Sequence, residues 1–281
     1  MPARKKRRQK RDFPKQQNET LILMRFFFCR IVFIGAILWA PLSAQQIPIG
    51  EHTSYKLSYL SFSAASVSFQ VTGIVNINDR PCYRLVTDAQ TTSFFSAFYD
   101  LHNTYETFVD TATGLPLRYT KNIAQKTLRQ HLTINYDHDN QTAQYDGGKW
   151  DSVFTVNVQP QSHTLFSALF DLRRRTMYEG KQWVYNLDNE TEPWKIQVTV
   201  LSRENIPAAG KEYPAYKLQV RFIPVGEEKK RKHTDIVTRR LVQSATKLYY
   251  WIEADAPHRG VQIEHETSPF STYTILTGTG K

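Results

Sequence analysis

Eight histidines, paired carboxylates such as Glu190/Glu192 and Glu264/Glu266, and a run of three arginines are the groups in this chain that could do chemistry. His52, His102, His131, His138, His163, His233, His258 and His265 would suggest a metal if two fell at ligand spacing. They are scattered, with no close pair. His265-Glu266 opens the pattern of a zinc-binding helix, but Pro269 stands where the second histidine belongs. Surface or internally hydrogen-bonded histidines are the plainer reading. Glu190/Glu192 and Glu264/Glu266 would be acid/base pairs in a cleft. On a strand, i and i+2 share one face, and a solvated edge accounts for both. No G-x-S-x-G elbow, Gly-rich phosphate loop or C-x-x-C motif occurs. Nothing marks a nucleophile, so a non-enzymatic protein without cofactor or metal is expected.

The arginines are more pointed. His163–Arg175 (HTLFSALFDLRRR) sets Leu165, Phe166, Leu169, Phe170 and Leu172 on a helical stripe and ends in Arg173, Arg174 and Arg175. Arginines beside an apolar stripe can hold a carboxylate or phosphate while the aromatics hold an apolar tail. A second helical segment, Ser93–Leu101, adds Phe94, Phe95 and Phe98. The candidate ligand-binding set is therefore Phe94, Phe95, Phe98, Leu165, Phe166, Leu169, Phe170, Arg173, Arg174 and Arg175. The competing account is core packing with helix-end charges and a structural salt bridge. Glu227–His233 (EEKKRKH) reads as a solvated hairpin loop, or as a contact for anionic headgroups or an acidic partner.

Strands must position these residues. Tyr55, Leu57 and Tyr59 alternate with polar neighbours, as do Val67 through Ile77 and Leu128 through Tyr136. Later runs start at Trp183, Trp194, Tyr216, Lys247, Val261 and Thr272. Turn signals such as Asn78-Asp79 and Asp146-Gly147-Gly148 recur every 8–14 residues, the spacing of an antiparallel meander, barrel or sandwich. The expected class is mainly β, an antiparallel curved sheet or open half-barrel with one or two short helices. It forms one domain over 45–281.

The chain has 281 residues and a net charge of +10. Residues 1–44 hold ten basic and two acidic side chains and so carry +8 of it. The domain behind them is nearly neutral, which removes the argument for nucleic-acid binding. Ile31–Ala40 is an apolar run preceded by Arg25 and Arg30 and followed by Pro41 and Leu42-Ser43-Ala44. This is the layout of a secretory signal peptide, predicting cleavage after Ala44 and no membrane span afterwards. An uncleaved anchor over Leu21–Ala40 would bury Arg25 and Arg30 at roughly 2.5–3.5 kcal/mol each. Met24 is an alternative start. Cys29 lacks the small residues that a lipoprotein signal sets before its cysteine. Only Cys82 remains behind the cleavage point, and it reads as a buried small hydrophobe.

With these stretches in view, the chain resembles the bacterial domain-of-unknown-function 3108 family of exported proteins. Gly50-Glu51 with Tyr55–Tyr59 is similar to the family's opening strand. Tyr99–Asp110 followed by Gly114-Leu115-Pro116 resembles its strand, acidic turn and Leu-Pro section. Ser167–Arg173 and Gly180 resemble its short helix ending in Leu-Arg, and Trp251–Glu264 its closing strand–turn–strand. Ser63-Ala64-Ala65-Ser66 replaces a Gly-rich second strand, and His163-Thr164 an acidic residue before the short helix. The resemblance implies a curved sheet similar to the half-barrel of periplasmic lipoprotein carriers, located in the periplasm or cell envelope. It supplies no catalytic residues. A carrier for a lipid-like or hydrophobic small molecule is expected, with a structural component meeting an envelope protein as the alternative.

Overall fold

The computed structural model describes residues 47–229 and 234–280. The signal segment expected over 1–44 and the start at Met24 lie outside them, as does most of the 227–233 charge run. The first eight strands are β1 (His52–Tyr59), β2 (Phe62–Ile77), β3 (Arg80–Thr91), β4 (Leu101–Asp110), β5 (Pro116–Gln125), β6 (Leu128–Asp137), β7 (Thr142–Gly147) and β8 (Phe154–Asn157). A single helical turn, α1 (Ser93–Ser96), sits between β3 and β4. The short β9 (Ser162–His163) leads into α2 (Leu165–Leu172). The rest is β10 (Gln182–Asn189), β11 (Glu192–Ala208), β12 (Lys211–Pro224), β13 (Lys247–Glu253), β14 (Gly260–Glu266) and β15 (Thr272–Gly280). A π-helical turn, Val237–Leu241, lies between β12 and β13.

All fifteen strands form one sheet in the order β8-β7-β6-β5-β4-β3-β2-β1-β15-β14-β13-β12-β11-β10-β9. Every pairing is antiparallel except β9 with β10. The sheet is not closed into a barrel, as the half-barrel reading expects. It is nonetheless strongly curled. Its two edge strands, β8 and β9, are joined by residues 158–161 alone. Such a link spans at most about 18 Å.

The parallel pairing explains the helix. Two parallel neighbours need a crossover, since no tight turn can join them. The chain returns through α2, and α2 lies inside the curl. Leu165, Ala168 and Leu172 pack on Leu187, Trp194, Ile196, Leu218 and Ile252. Phe170 faces the other way, onto Val71, Leu85 and Val109. Each such buried side chain contributes about 1.5–3 kcal/mol. Thr164 caps the helix: its Oγ1 accepts from the Ser167 amide at 3.1 Å, and Ser167 Oγ accepts from the Thr164 amide at 2.9 Å. The helix is shorter than the 163–175 segment expected, because Arg173 is its C-cap and Arg174 and Arg175 lie beyond it. The first helical segment is likewise a single turn, since Leu101 already opens β4.

Side chains hold the curl together where backbone bonds do not. Tyr136 Oη on β6 donates to Asp188 of β10 at 2.9 Å, and Tyr145 Oη on β7 donates to the same carboxylate. Deeper inside, Lys121 of β5 is fully buried between Glu190 and Asp235, with its ammonium 2.6 Å from the Asp235 carboxylate. Asp235 also accepts from Tyr105 Oη at 3.1 Å, from Thr238 Oγ1 at 2.7 Å and from the amides of Val237 and Thr238. The solvated-edge account of Glu190 is thus corrected. The β10–β11 turn points into the protein, and Glu190 is 4% exposed. Glu190 and Thr191 both have positive φ, 54° and 73°, which is unfavourable for a β-branched threonine. The turn is held by Lys121 on Glu190, and by Tyr145 and Asp188, which accept from the Thr191 amide. Removing one partner of a buried pair leaves an uncompensated charge, at about 3–5 kcal/mol. Lys121→Met is therefore expected to destabilise by that amount in urea unfolding. A loss below about 1 kcal/mol would show that the cluster does not hold the curl.

Candidate functional site

An apolar cavity of about 120 Å³ lies between α2 and the inner face of β1–β3 and β13–β15. Phe166, Leu169 and Phe170 form the helix side. Val67, Phe69 and Thr87 form one wall, with Tyr250, Ile263 and Thr274 opposite. Strand parity delivers these residues. Val67 and Phe69 share the inward face of β2 with Val71, while Ile263 stands opposite Tyr250 and Thr274 in the ladder. Gly260 is required at the far end. A Cβ there would sit 2.5 Å from the Tyr250 hydroxyl.

The charge at the cavity is already matched. Arg173 is 3% exposed and faces Glu51, with Nη1 and Nη2 each 2.7 Å from a carboxylate oxygen. Its Nε donates to the His258 carbonyl at 3.0 Å and Nη2 to that of Pro257 at 3.2 Å. The Phe69 ring stands 5.9 Å from the guanidinium. Tyr55 donates to the Gly260 carbonyl at 3.0 Å, and burial pushes its phenol above the ordinary value. The one charged side chain in the walls, Arg173, is thus neutralised. Among the described residues, no three His, Cys, Asp or Glu side chains gather as a metal site, and no helix is long and apolar enough to cross a membrane.

Of the residues expected to bind ligand, the structure brings four together here: Phe166, Leu169, Phe170 and Arg173. Leu165 is buried in the core on the other side of α2. Arg174 reaches the Thr111 carbonyl at 3.4 Å, and Arg175 pairs with Asp171 at 2.6 Å. Neither arginine lines the cavity, and Arg173 is held by Glu51. Phe94 and Phe98 are 66% and 70% exposed on α1 and the loop after it, where they touch Phe95 and each other. They belong to the rim, because α1 has only one turn and no inward face.

Sequence reasoning missed Lys121, Asp235, Glu51 and Tyr250. Lys121 carried a signal: it shares the inward face of β5 with Leu117, Tyr119 and Ile123, a charge in an apolar row. Asp235 lies outside any strand and had none; Glu51 stood out only as part of the Gly50-Glu51 resemblance to the family's opening strand. His163 is buried, accepts or donates at Ser167 Oγ across 3.1 Å, and packs edge-on against Tyr185. Cys82 is fully buried, with its thiol pushed up by burial. Burial also lowers the His163 pKa to about 4, against a smaller raising effect of Asp171. In the unfolded chain this group binds its proton near 6.5. Between those values the unfolded state holds more protons, so acidification favours unfolding. The wild type is expected to lose roughly 3 kcal/mol relative to His163→Gln between pH 7 and pH 4, measured by urea unfolding. Parallel pH profiles of the two proteins would overturn the assignment.

A family model described as "Protein of unknown function (DUF3108)" matches residues 54–275. The chain belongs to that family. Among solved structures, it is similar to a β-barrel-like protein of domain of unknown function DUF1849 from Brucella abortus. That match has a TM-score of 0.51 at 8% identity and covers 82% of this chain and 97% of that one. A protein with a YmcC-like fold from Bacteroides fragilis, assigned as exported, matches with a TM-score of 0.31 at 11% identity, over 84% of this chain and 97% of its own. A protein from Parabacteroides distasonis, assigned as a lipoprotein, matches with a TM-score of 0.31 at 9% identity, over 85% and 98%. No curated protein matches the chain.

Proposed function

We propose that this DUF3108 protein is an exported, non-enzymatic binding module that takes the end of a hydrocarbon chain from a lipid-like ligand. The observation that carries the reading is the apolar cavity beside α2, with its one arginine neutralised by Glu51. Its size sets the ligand. A dry cavity of about 150 Å³ accepts benzene, whereas drug-sized molecules need about 300 Å³ or more. About 120 Å³ admits one narrow tail and no headgroup. Towards the α1 end of the curl the same inner face continues through Leu57, Ala89, Thr91 and Thr272, all half-buried. A longer chain would lie along them. Export rests on the signal-peptide layout of the leader.

One observation favours the second reading, an interaction component of the envelope. Phe62, Phe94, Phe98 and Phe270 are all exposed at the α1 end of the curl. The two readings separate in one experiment, titration with a fluorescent fatty acid. Leu169→Trp fills the cavity and is expected to weaken binding tenfold or more, while Phe98→Ser leaves it unchanged. The reverse pattern, or no saturable binding, would remove the carrier reading in favour of the interaction one.

A further inference from the structure

A second, polar site lies at the rim and takes no part in the cavity. It is a cleft of about 420 Å³ between the loop after α1, the β5–β6 turn and the segment that precedes the π-helical turn. Tyr99, Gln125, Lys126, Thr127, Thr234 and Arg239 line it.

Two donors in this cleft lack acceptors. Gln125 is 2% exposed, and its Oε1 accepts from the Ile236 amide and from Tyr99 Oη, each at 3.2 Å. An amide N–H can only donate, so Ile236 fixes the orientation of the Gln125 side chain. Its Nε2 is thereby turned away, and it has no hydrogen-bond partner. Arg239 is half-buried; its Nε is buried without a partner, and among the described residues it forms no ion pair. Lys126 is exposed beside them. The Asp235 carboxylate, next to the lining residue Thr234, is engaged by Tyr105, Lys121, Val237 and Thr238. The Thr234 hydroxyl donates to Glu190 at 2.7 Å.

Leaving the Arg239 Nε–H and an amide N–H buried without acceptors is unfavourable, at about 1–3 kcal/mol for the amide alone. An external anion would satisfy both. Two cationic groups and an amide donor suit a tetrahedral oxyanion with several acceptor oxygens. The geometry points to a phosphate-binding site at the rim, with Arg239, Gln125 and Lys126 as its donors. Inorganic phosphate and a phospholipid headgroup present the same chemistry.

Isothermal titration with inorganic phosphate tests the site, and vesicle co-sedimentation separates the sources. The wild type is expected to bind phosphate, with Arg239→Gln and Gln125→Glu at least tenfold weaker. Gln125→Glu keeps the acceptor for Ile236 and exchanges the free donor for a repelling oxygen. Arg239→Lys keeps the charge and is expected to lose less. Sedimentation with phosphatidylcholine vesicles only when phosphatidylglycerol is added, lost in the same two variants, identifies a headgroup. Phosphate binding without vesicle binding identifies a soluble phosphorylated ligand. If the variants fail to fold, the wild-type Tm carries the test: phosphate must raise it above chloride of equal ionic strength. No phosphate or vesicle binding, binding indifferent to both variants, or a Tm that ignores phosphate would overturn the proposal. Fatty-acid binding is independent of every arm.

Discussion

The structure depends on a buried ammonium. Lys121 sits on the inner face of β5 with no exposure to solvent, and an isolated charge there would be prohibitive. Glu190 and Asp235 make it tolerable, and each arrives from a different part of the chain. Glu190 comes on the β10–β11 turn, from the far side of the curl. Asp235 comes on the connection between β12 and β13. The constraint is reciprocal. The carboxylates need the lysine as much as it needs them, and burial that disfavours the charge on Asp235 is outweighed by Lys121 and Thr238, which keep its carboxyl below the usual range. The turn keeps its unfavourable backbone at Glu190 and Thr191 because of these contacts.

The cavity follows from the same arrangement. With one half of the curl filled by the lysine cluster, the packed face of α2 and the π-helical turn, the helix has apolar surface left over. That surface faces β1–β3 and β13–β15. Phe166 joins the two regions, packing on Tyr105 at 4.9 Å while its other side lines the cavity. The space left beside Asp188, Glu190 and Thr238 is about 20 Å³, against about 120 Å³ on the apolar side, and the contrast localises the larger void.

The fold was legible because it is periodic. Alternation over Val67–Ile77 and Leu128–Tyr136, with regular turn signals, specifies an antiparallel sheet without knowledge of its partners. The apolar stripe of α2 was equally plain, and three of its residues, Phe166, Leu169 and Phe170, line the cavity. The roles of the arginines were not legible, because they depend on Glu51, which is 122 residues away in the chain. Phe94 and Phe98 lie away from the cavity for a physical reason. Their spacing fits a helix, but a single turn buries nothing, and Leu101 belongs to the following strand. Lys121 was visible as a charge in an apolar row, but its partners lie at a turn and in a connection, where no periodicity exists.

The strand order has a consequence beyond the half-barrel. Read around the sheet, β1 to β15 occur in the order of the sequence, rotated: the covalent chain is interrupted between β15 and β1, the hydrogen-bond ladder between β8 and β9. Each gap is bridged by the other kind of bond. His52 to Tyr59 pair along β15, to which no loop joins β1, and residues 158–161 join β8 to β9 where the ladder has ended. The molecule is topologically a ring with two different fasteners. One, the peptide link, is permanent, and the other, the β1–β15 ladder, forms only when the last strand finds the first. A circular permutant that joined Gly280 to His52 and opened at 158–161 would have its strands in purely sequential order. The natural strand order instead leaves the final closure to the ladder between β1 and β15.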